Sequence, residues 1–309
     1  SFVHIFATIW LRFDSWSYKN LIVQMFDEER QTVLLNHYRH GWIPGLANHY
    51  SSNGMYLAVA ILVLAALWLG SQSFKIKKRA LILLALAFIA MLFTGKRAHI
   101  IFSIIAIFVM YYVYGANRKR GRWVKIIGLL CLSVGVIYIG YQFFPNLFSF
   151  IGRFEETSAA GDVTQGRLLT WEVATAIFLK KPTFGIGWGQ FSQLAERHGV
   201  TINVHNIYIQ LLCETGVVGF CVFVMFFVLM LIVTIRILSK MRKEQIVSTA
   251  IDQQNILFSL GVQVFFLLYG FTGNPLYDAP MFIPYFLVVS ITTYYWRLHK
   301  SILKLRIKR

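Results

Sequence analysis

In TINVHNIYIQLLCETGVVGF, residues 201–220, His205 and Asn206 stand side by side, Glu214 follows nine residues after the histidine, and an uncharged apolar run begins at Val217. An unperturbed imidazole titrates at about 6.5, so at neutral pH it is mostly free to take a proton. At the mouth of a membrane-length helix such a side chain can act as a base on a hydroxyl arriving from water. The alternative is a structural histidine held in place by hydrogen bonds. Asn206 can fix the ring or bind a sugar hydroxyl. Glu214 can cap or pair locally, and nothing in its position gives it a more specific role.

The other residues suited to chemistry are arginines. Arg97, in FTGKRAHII, lies on a turn of a few residues between two apolar runs. It can bind an anion, or snorkel to headgroups as a helix-end arginine commonly does. Arg167, in QGRLLTWEV, falls in the first turn of a helix expected from about Gln165 to Lys180. A cation is disfavoured there by the helix dipole. A guanidinium beside free backbone N–H groups nevertheless makes an anion site. Arg153, in FIGRFEET, has Glu155 and Glu156 at hand to neutralise it.

These residues must be positioned by membrane helices. The 309-residue chain is 57% hydrophobic and 14% charged, far from a soluble average. Apolar runs cover roughly 54–72, 80–94, 98–115, 126–144, 217–235, 255–273 and 281–297, most of them near the length of about 20 residues that a bilayer requires. The expected fold is an all-α polytopic membrane protein with about seven visible spans and a long, partly helical extracytoplasmic loop.

The net charge of +17 is topological and calls for no nucleic-acid partner. Basic clusters at Lys75–Arg79, Arg118–Lys125, Arg236–Lys243 and Arg297–Arg309 alternate with segments whose charges cancel, such as 145–205 with five of each sign. The positive-inside rule then places 1–50, 145–205 and 273–280 outside the cytoplasm and the C-terminus inside. SFVHIFATIWL, residues 1–11, is too short to span and reads as the tail of a helix that starts upstream. Cys131, Cys213 and Cys221 read as small buried packing residues.

Within the long loop, Leu168, Leu169, Ala176 and Ile177 are expected to form part of the helix's apolar face, and Pro182 marks its stop. Gly185, Gly187 and Gly189 then supply a permissive turn before Phe191. No strand precedes this glycine run, which argues against a dinucleotide site. The chain contains no HExxH, Walker loop, CxxC, GxSxG or Asp-x-Asp pair, and acidic residues are sparse on the outer face. Arginines with one candidate base suit a large anionic leaving group, guanidinium charge standing where a metal ion acts elsewhere.

In this order the motifs resemble the O-antigen ligase and polymerase superfamily of bacterial membrane glycosyltransferases. They are TGKRA at Arg97, GR-x-x-x-W (Gly166, Arg167, Trp171), P-x-x-G-x-G-x-x-x-F (Pro182, Gly185, Gly187, Phe191), HN-x-Y (His205, Asn206, Tyr208) and E-x-G-x-x-G (Glu214, Gly216, Gly219). TGKRA departs from the Ser-Arg pair often seen there. The resemblance runs from about residue 40 to the C-terminus and implies a GT-C-like membrane fold, with further helices upstream of Ser1. It implies a multi-pass protein of the bacterial cytoplasmic membrane with its active site on the extracytoplasmic face. The implied donor is a glycan on undecaprenyl diphosphate, and the implied acceptor is a glycan or lipid with a free hydroxyl. A chain-length regulator is a further partner of this kind of enzyme.

Carried over by position, Arg97, Arg167 and Arg153 would bind the donor diphosphate and His205 would be the base. Asn206, Tyr208 and Trp171 would support it. Neither metal nor cofactor is implied. The expected organisation is an extracytoplasmic approach segment 1–53, transmembrane helices 54–144, a catalytic loop 145–205, and transmembrane helices with a basic cytoplasmic tail 206–309. The leading functional expectation is a glycan polymerase joining lipid-linked repeat units for a surface polysaccharide. The alternative is ligase-type transfer of the finished glycan to a lipid core, wall or protein acceptor. A non-enzymatic lipid-linked oligosaccharide transporter is a second alternative, and it would carry polar groups near the middle of its spans.

Overall fold

The computed structural model describes residues 2–115, 167–197, 199, 203–243 and 250–307. Their regular elements are the helices α1 (Phe2–Phe13), α2 (Glu28–Arg39), α3 (Tyr50–Gly70), α4 (Phe74–Phe93), α5 (Arg97–Tyr114), α6 (Arg167–Lys180), α7 (Phe191–Glu196), α8 (Ile207–Lys243), α9 (Ala250–Tyr269) and α10 (Ala279–Ile307), with short helical turns from Ser15 to Met25. No strand occurs among the described residues. The protein is an all-α polytopic membrane protein. Six of the seven apolar runs coincide with α3, α4, α5, α8, α9 and α10, while 126–144 lies outside the described residues.

Four of these helices, α3, α5, α8 and α9, are long and apolar enough to cross a membrane. The other two depart for reasons visible in their composition. α4 opens with Lys75, Lys77, Lys78 and Arg79, which shortens its apolar stretch, and α10 mixes Pro284, Thr292, Thr293 and several tyrosines among its aliphatic residues. α1 is a 12-residue apolar helix.

The chain forms two compact units, Ser1–Arg153 with Ile235–Val262, and Phe154–Thr234 with Gln263–Arg309. In the first, α3 is apolar on every side and correspondingly buried. Leu57, Ala58, Ala60, Ile61, Leu62 and Ala65 have no exposed surface. α1, α4 and α5 pack around it, and its alanines allow close approach. Asn53, also fully buried, donates to Thr8 Oγ1 (2.9 Å) and the Ile43 carbonyl (3.1 Å), and its Oδ1 meets His4 Nδ1 at 3.0 Å. That one amide ties α1 and the Gly- and His-rich stretch 39–54 to the start of α3.

In the second unit, Ala174, Ile177, Phe191, Ala195, Val204 and Cys213 form a small core joining α6, α7 and the head of α8. The helix anticipated in the long loop is present, and it ends at Lys180 just before Pro182. Its buried face differs from the expected one. Thr170, Ala174 and Ile177 face inward, spaced four and three residues apart as one helix face requires. Leu168, Leu169 and Ala176 are turned outward, about 100° or more around the helix from that line. Cys213 is buried as anticipated, but Cys221 is exposed on α8. It shares that surface with Val217, Val218 and Val222, where lipid takes the place of packing. Cys131 lies outside the described residues.

Lower in the same unit, α8, α9 and α10 are joined by uncharged polar side chains. Gln263 Nε2 donates to Thr234 Oγ1 (2.8 Å) and Thr292 Oγ1 (3.3 Å), and the two hydroxyls lie 2.8 Å apart. All three residues are buried. Inside a bilayer such bonds hold helices in register. Gln263→Leu is expected to cost about 1 kcal/mol by the measured scale of interhelical bonds, seen as a lower thermal midpoint in detergent. An unchanged midpoint would contradict the clamp.

Candidate functional site

His205 occupies the residue pair that heads α8, and it is the only non-glycine with a positive φ among the described residues, at 49°. An L-residue in this left-handed region is strained by about 1–2 kcal/mol. Four contacts on either side hold it there. The Trp171 indole N–H donates to the Val204 carbonyl at 2.8 Å, and Val204 is fully buried in the small core. Asn206 accepts from the N–H groups of Tyr208 (3.0 Å) and Ile209 (3.2 Å) through Oδ1, which makes it the N-cap of α8. Ile207 N–H donates to the Gly270 carbonyl at 2.8 Å. The Tyr208 hydroxyl donates to the Leu267 carbonyl at 2.7 Å. The half-buried imidazole is thereby set at the end of a fixed strut.

This geometry explains two of the short motifs together. Trp171 and His205 belong to different motifs, yet the indole holds the residue directly before the histidine. Arg167 lies one turn earlier than Trp171 on the same helix and, being four residues away, on the same face. It is half-buried and is the first described residue of α6. α6 thus brings a guanidinium to the face that grips Val204.

Glu214, left without a role by the sequence, is the hub of the second unit. It is 1% exposed. Its carboxylate accepts from Gly189 N–H (2.8 Å), Phe191 N–H (3.3 Å), Gln210 Nε2 (3.1 Å) and the Tyr277 hydroxyl, so four donors converge on it. Partial burial, and then the bond to Glu214, push the Tyr277 phenol well above the usual tyrosine range. Tyr277 therefore stays a proton donor across physiological pH. Around this hub the glycine-rich loop is stitched to α8 by backbone bonds. Ile186 and Gly187 donate to the carbonyls of Cys213 (3.1 Å) and Glu214 (2.9 Å), and Val217 and Val218 donate to those of Pro182 (2.8 Å) and Thr183 (3.2 Å).

Two glycines permit this approach. Gly216 interrupts α8 with φ 64° and ψ −173°, a region open essentially to glycine. A Cβ there would collide with the Thr183 carbonyl, and a Cβ on Gly185 would collide with the Glu214 carbonyl. The P-x-x-G-x-G and E-x-G motifs are thus the two halves of one joint. A signal for part of this was in the sequence, since an asparagine directly before an apolar helical run is a capping residue. Three of the four Glu214 partners are 23, 25 and 63 residues away and left no local trace.

Arg97 lies in the first unit, as the first residue of α5, and is half-buried. The turn that carries it is tightly made. Gly95 takes φ 66°, Thr94 Oγ1 donates to the Met91 carbonyl at 2.7 Å, and Lys96 N–H donates to Thr94 Oγ1 at 3.3 Å. Beside it, Lys96 Nζ stands 4.7 Å from the Tyr50 ring centre, and His37 and His49 pack on the same ring at 4.6 and 4.3 Å. Arg167, Trp171, His205, Asn206 and Tyr208 belong to the second unit. Arg153 lies outside the described residues. No group of three or more His, Cys, Asp or Glu side chains is placed to hold a metal ion among the described residues.

The fold and this frame define an integral membrane protein with a histidine held under strain at the head of a span, braced by a helix that carries Arg167 and Trp171. Residues 82–224 match the family described as O-antigen ligase, a stretch that contains Arg97, Arg167, His205 and Glu214. That stretch, a little under half of the chain, is similar to the O-antigen ligase family and supports the resemblance to the O-antigen ligase/polymerase superfamily. No curated protein matches it.

Proposed function

We propose that the protein is a glycosyltransferase that moves a glycan from a polyprenyl diphosphate, undecaprenyl diphosphate in bacteria, to a hydroxyl of a second glycan, and so acts as a polymerase of lipid-linked repeat units. The observation that carries this reading is the strained, half-buried His205, fixed by Trp171 and Gly270 through its neighbours. A residue held in a sparsely populated backbone region by its surroundings is a candidate for function. The acceptor hydroxyl attacks the anomeric carbon as His205 takes its proton. The bond from that carbon to the diphosphate oxygen breaks, the electron pair leaves with the diphosphate, and the anomeric centre inverts. Arg167 stabilises the departing charge, which supplies by fixed charge what a metal ion supplies elsewhere.

Arg97, in the first unit, and Arg153 keep the diphosphate role that the resemblance implies for them. The basic clusters at Lys75–Arg79 and Arg236–Lys243 support a topology in which the His205 end of α8 faces away from the cytoplasm. The family description favours a second reading, transfer of a finished chain to a lipid core or another acceptor. Reconstitution in liposomes with the lipid-linked repeat unit alone separates the two. A ladder of products identifies a polymerase, and product that forms only after a core lipid or protein acceptor is added identifies a ligase. No glycosidic product under either condition would contradict both.

Arg167→Lys tests the anion site. Lysine keeps the charge and loses the two-pronged guanidinium. The variant is expected to lower kcat/KM for the lipid-linked donor by about tenfold or more, on the scale of a lost charge-assisted bond of about 1.5–3 kcal/mol. Unchanged donor kinetics would remove Arg167 from the site.

A further inference from the structure

We infer that the glycine-rich loop Pro182–Gly189 is a wedge sunk into the lipid boundary of the bilayer, with Phe184 and Trp188 in contact with acyl chains. This goes beyond the transfer reaction and does not depend on it.

The depth of the loop follows from α8. Between Gly216 and Arg236 the helix has no charged residue, and at 1.5 Å per residue those positions span about 30 Å, the thickness of the hydrocarbon core. With Arg236 at one boundary, the break at Gly216 lies at the other. The loop straddles that break: Val217 and Val218 N–H donate to the Pro182 and Thr183 carbonyls on the membrane side, and Ile186 and Gly187 N–H donate to the Cys213 and Glu214 carbonyls on the other. Trp188 reaches further in, stacked on Phe223 with ring centres 5.6 Å apart. Phe223 is seven residues beyond Gly216, and its ring leans back by about a turn, so the indole sits about 5–10 Å inside the boundary.

The exposed surface there is apolar and continuous. Phe184 is 74% exposed and Trp188 48%, beside Val217, Val218 and Val222 on the exposed face of α8. The end of α6 presents exposed Leu179 to the same level, followed by Lys180 and Lys181, whose ammonium groups can reach headgroups. In water this cluster would be an exposed hydrophobic patch.

The backbone supplies an independent argument. Backbone polar groups away from bulk water are costly unless they are paired within the protein. The N–H groups of Gly185, Ile186, Gly187 and Gln190 donate to backbone carbonyls, and those of Gly189 and Phe191 donate to Glu214. The buried carboxylate thus satisfies two backbone donors where the loop enters α7.

Nitroxide labels at single cysteines test the assignment in the full chain reconstituted in liposomes, on a Cys131→Ser, Cys213→Ala, Cys221→Ser background. Phe184→Cys is compared with Val222→Cys, on the lipid-facing side of α8, and Gln193→Cys, exposed on α7. Label at 184 is expected to collide with oxygen severalfold more than with a water-soluble nickel chelate, as at 222. Nickel access equal to that at 193 would put the loop in water and overturn the inference. Protection from both reagents would mean that protein covers the ring, and would overturn it equally. Leu179→Cys, on a helix and not in the loop, gives the same reading if the loop variant fails to fold.

Discussion

His205→Ala is expected to lower glycan transfer by about 10²–10⁴-fold, the usual contribution of a positioned general base, while the protein remains folded and inserted. The backbone frame keeps its bonds when the ring is removed. Val204 stays anchored by Trp171, Asn206 still caps α8, and Ile207 still bonds to Gly270. None of these contacts uses the imidazole. His205→Gly sharpens the test, because glycine adopts a positive φ without strain. The relief of about 1–2 kcal/mol is partly offset by the extra chain entropy of glycine, about 0.5–1 kcal/mol. Stability should therefore be at or slightly above that of the parent while transfer is lost. A glycine variant that is both well folded and active would show that the backbone shape, and not the ring, is what the site requires.

Glu214→Ala is expected to have the largest effect on stability. It leaves four donors in a buried site with no acceptor, two of them backbone N–H groups of the glycine-rich loop. At about 1–3 kcal/mol for each unsatisfied buried group, the loss is about 2–6 kcal/mol even if half of them find water. Little folded protein should be recovered. Glu214→Gln keeps the volume but turns an amide donor toward groups that are themselves donors, and should fall between the parent and alanine. Tyr277→Phe removes one donor and leaves the other three satisfied, so its cost should be about 1 kcal/mol. The ordering is read from thermal midpoints in detergent. Alanine at 214 matching the parent would contradict the hub.

The spans and the loop helix were legible because each is a local property. Hydropathy marks α3, α5, α8 and α9 without reference to anything else in the chain, and Pro182 stops α6 through its own ring. His205 was legible as a residue of interest from its place beside an apolar run. What it rests on was not, because Trp171 and Val204 are 33 residues apart. Glu214 was opaque for the same reason, its partners being gathered from α7, α8 and the segment before α10. The buried face of α6 was misread at Leu168 and Leu169, since aliphatic residues at a membrane surface need not point into protein. Cys221 shows the same physics, a small apolar side chain satisfied by lipid.

The most direct test of the central claim compares the parent protein and His205→Gly in liposomes charged with the lipid-linked donor and an acceptor glycan, with released polyprenyl diphosphate and glycosidic product measured together. Stoichiometric release and product in the parent, with both lost in an equally stable variant, is the expected result. Product formation at the parent rate by the variant would remove His205 from the chemistry and with it the proposed mechanism.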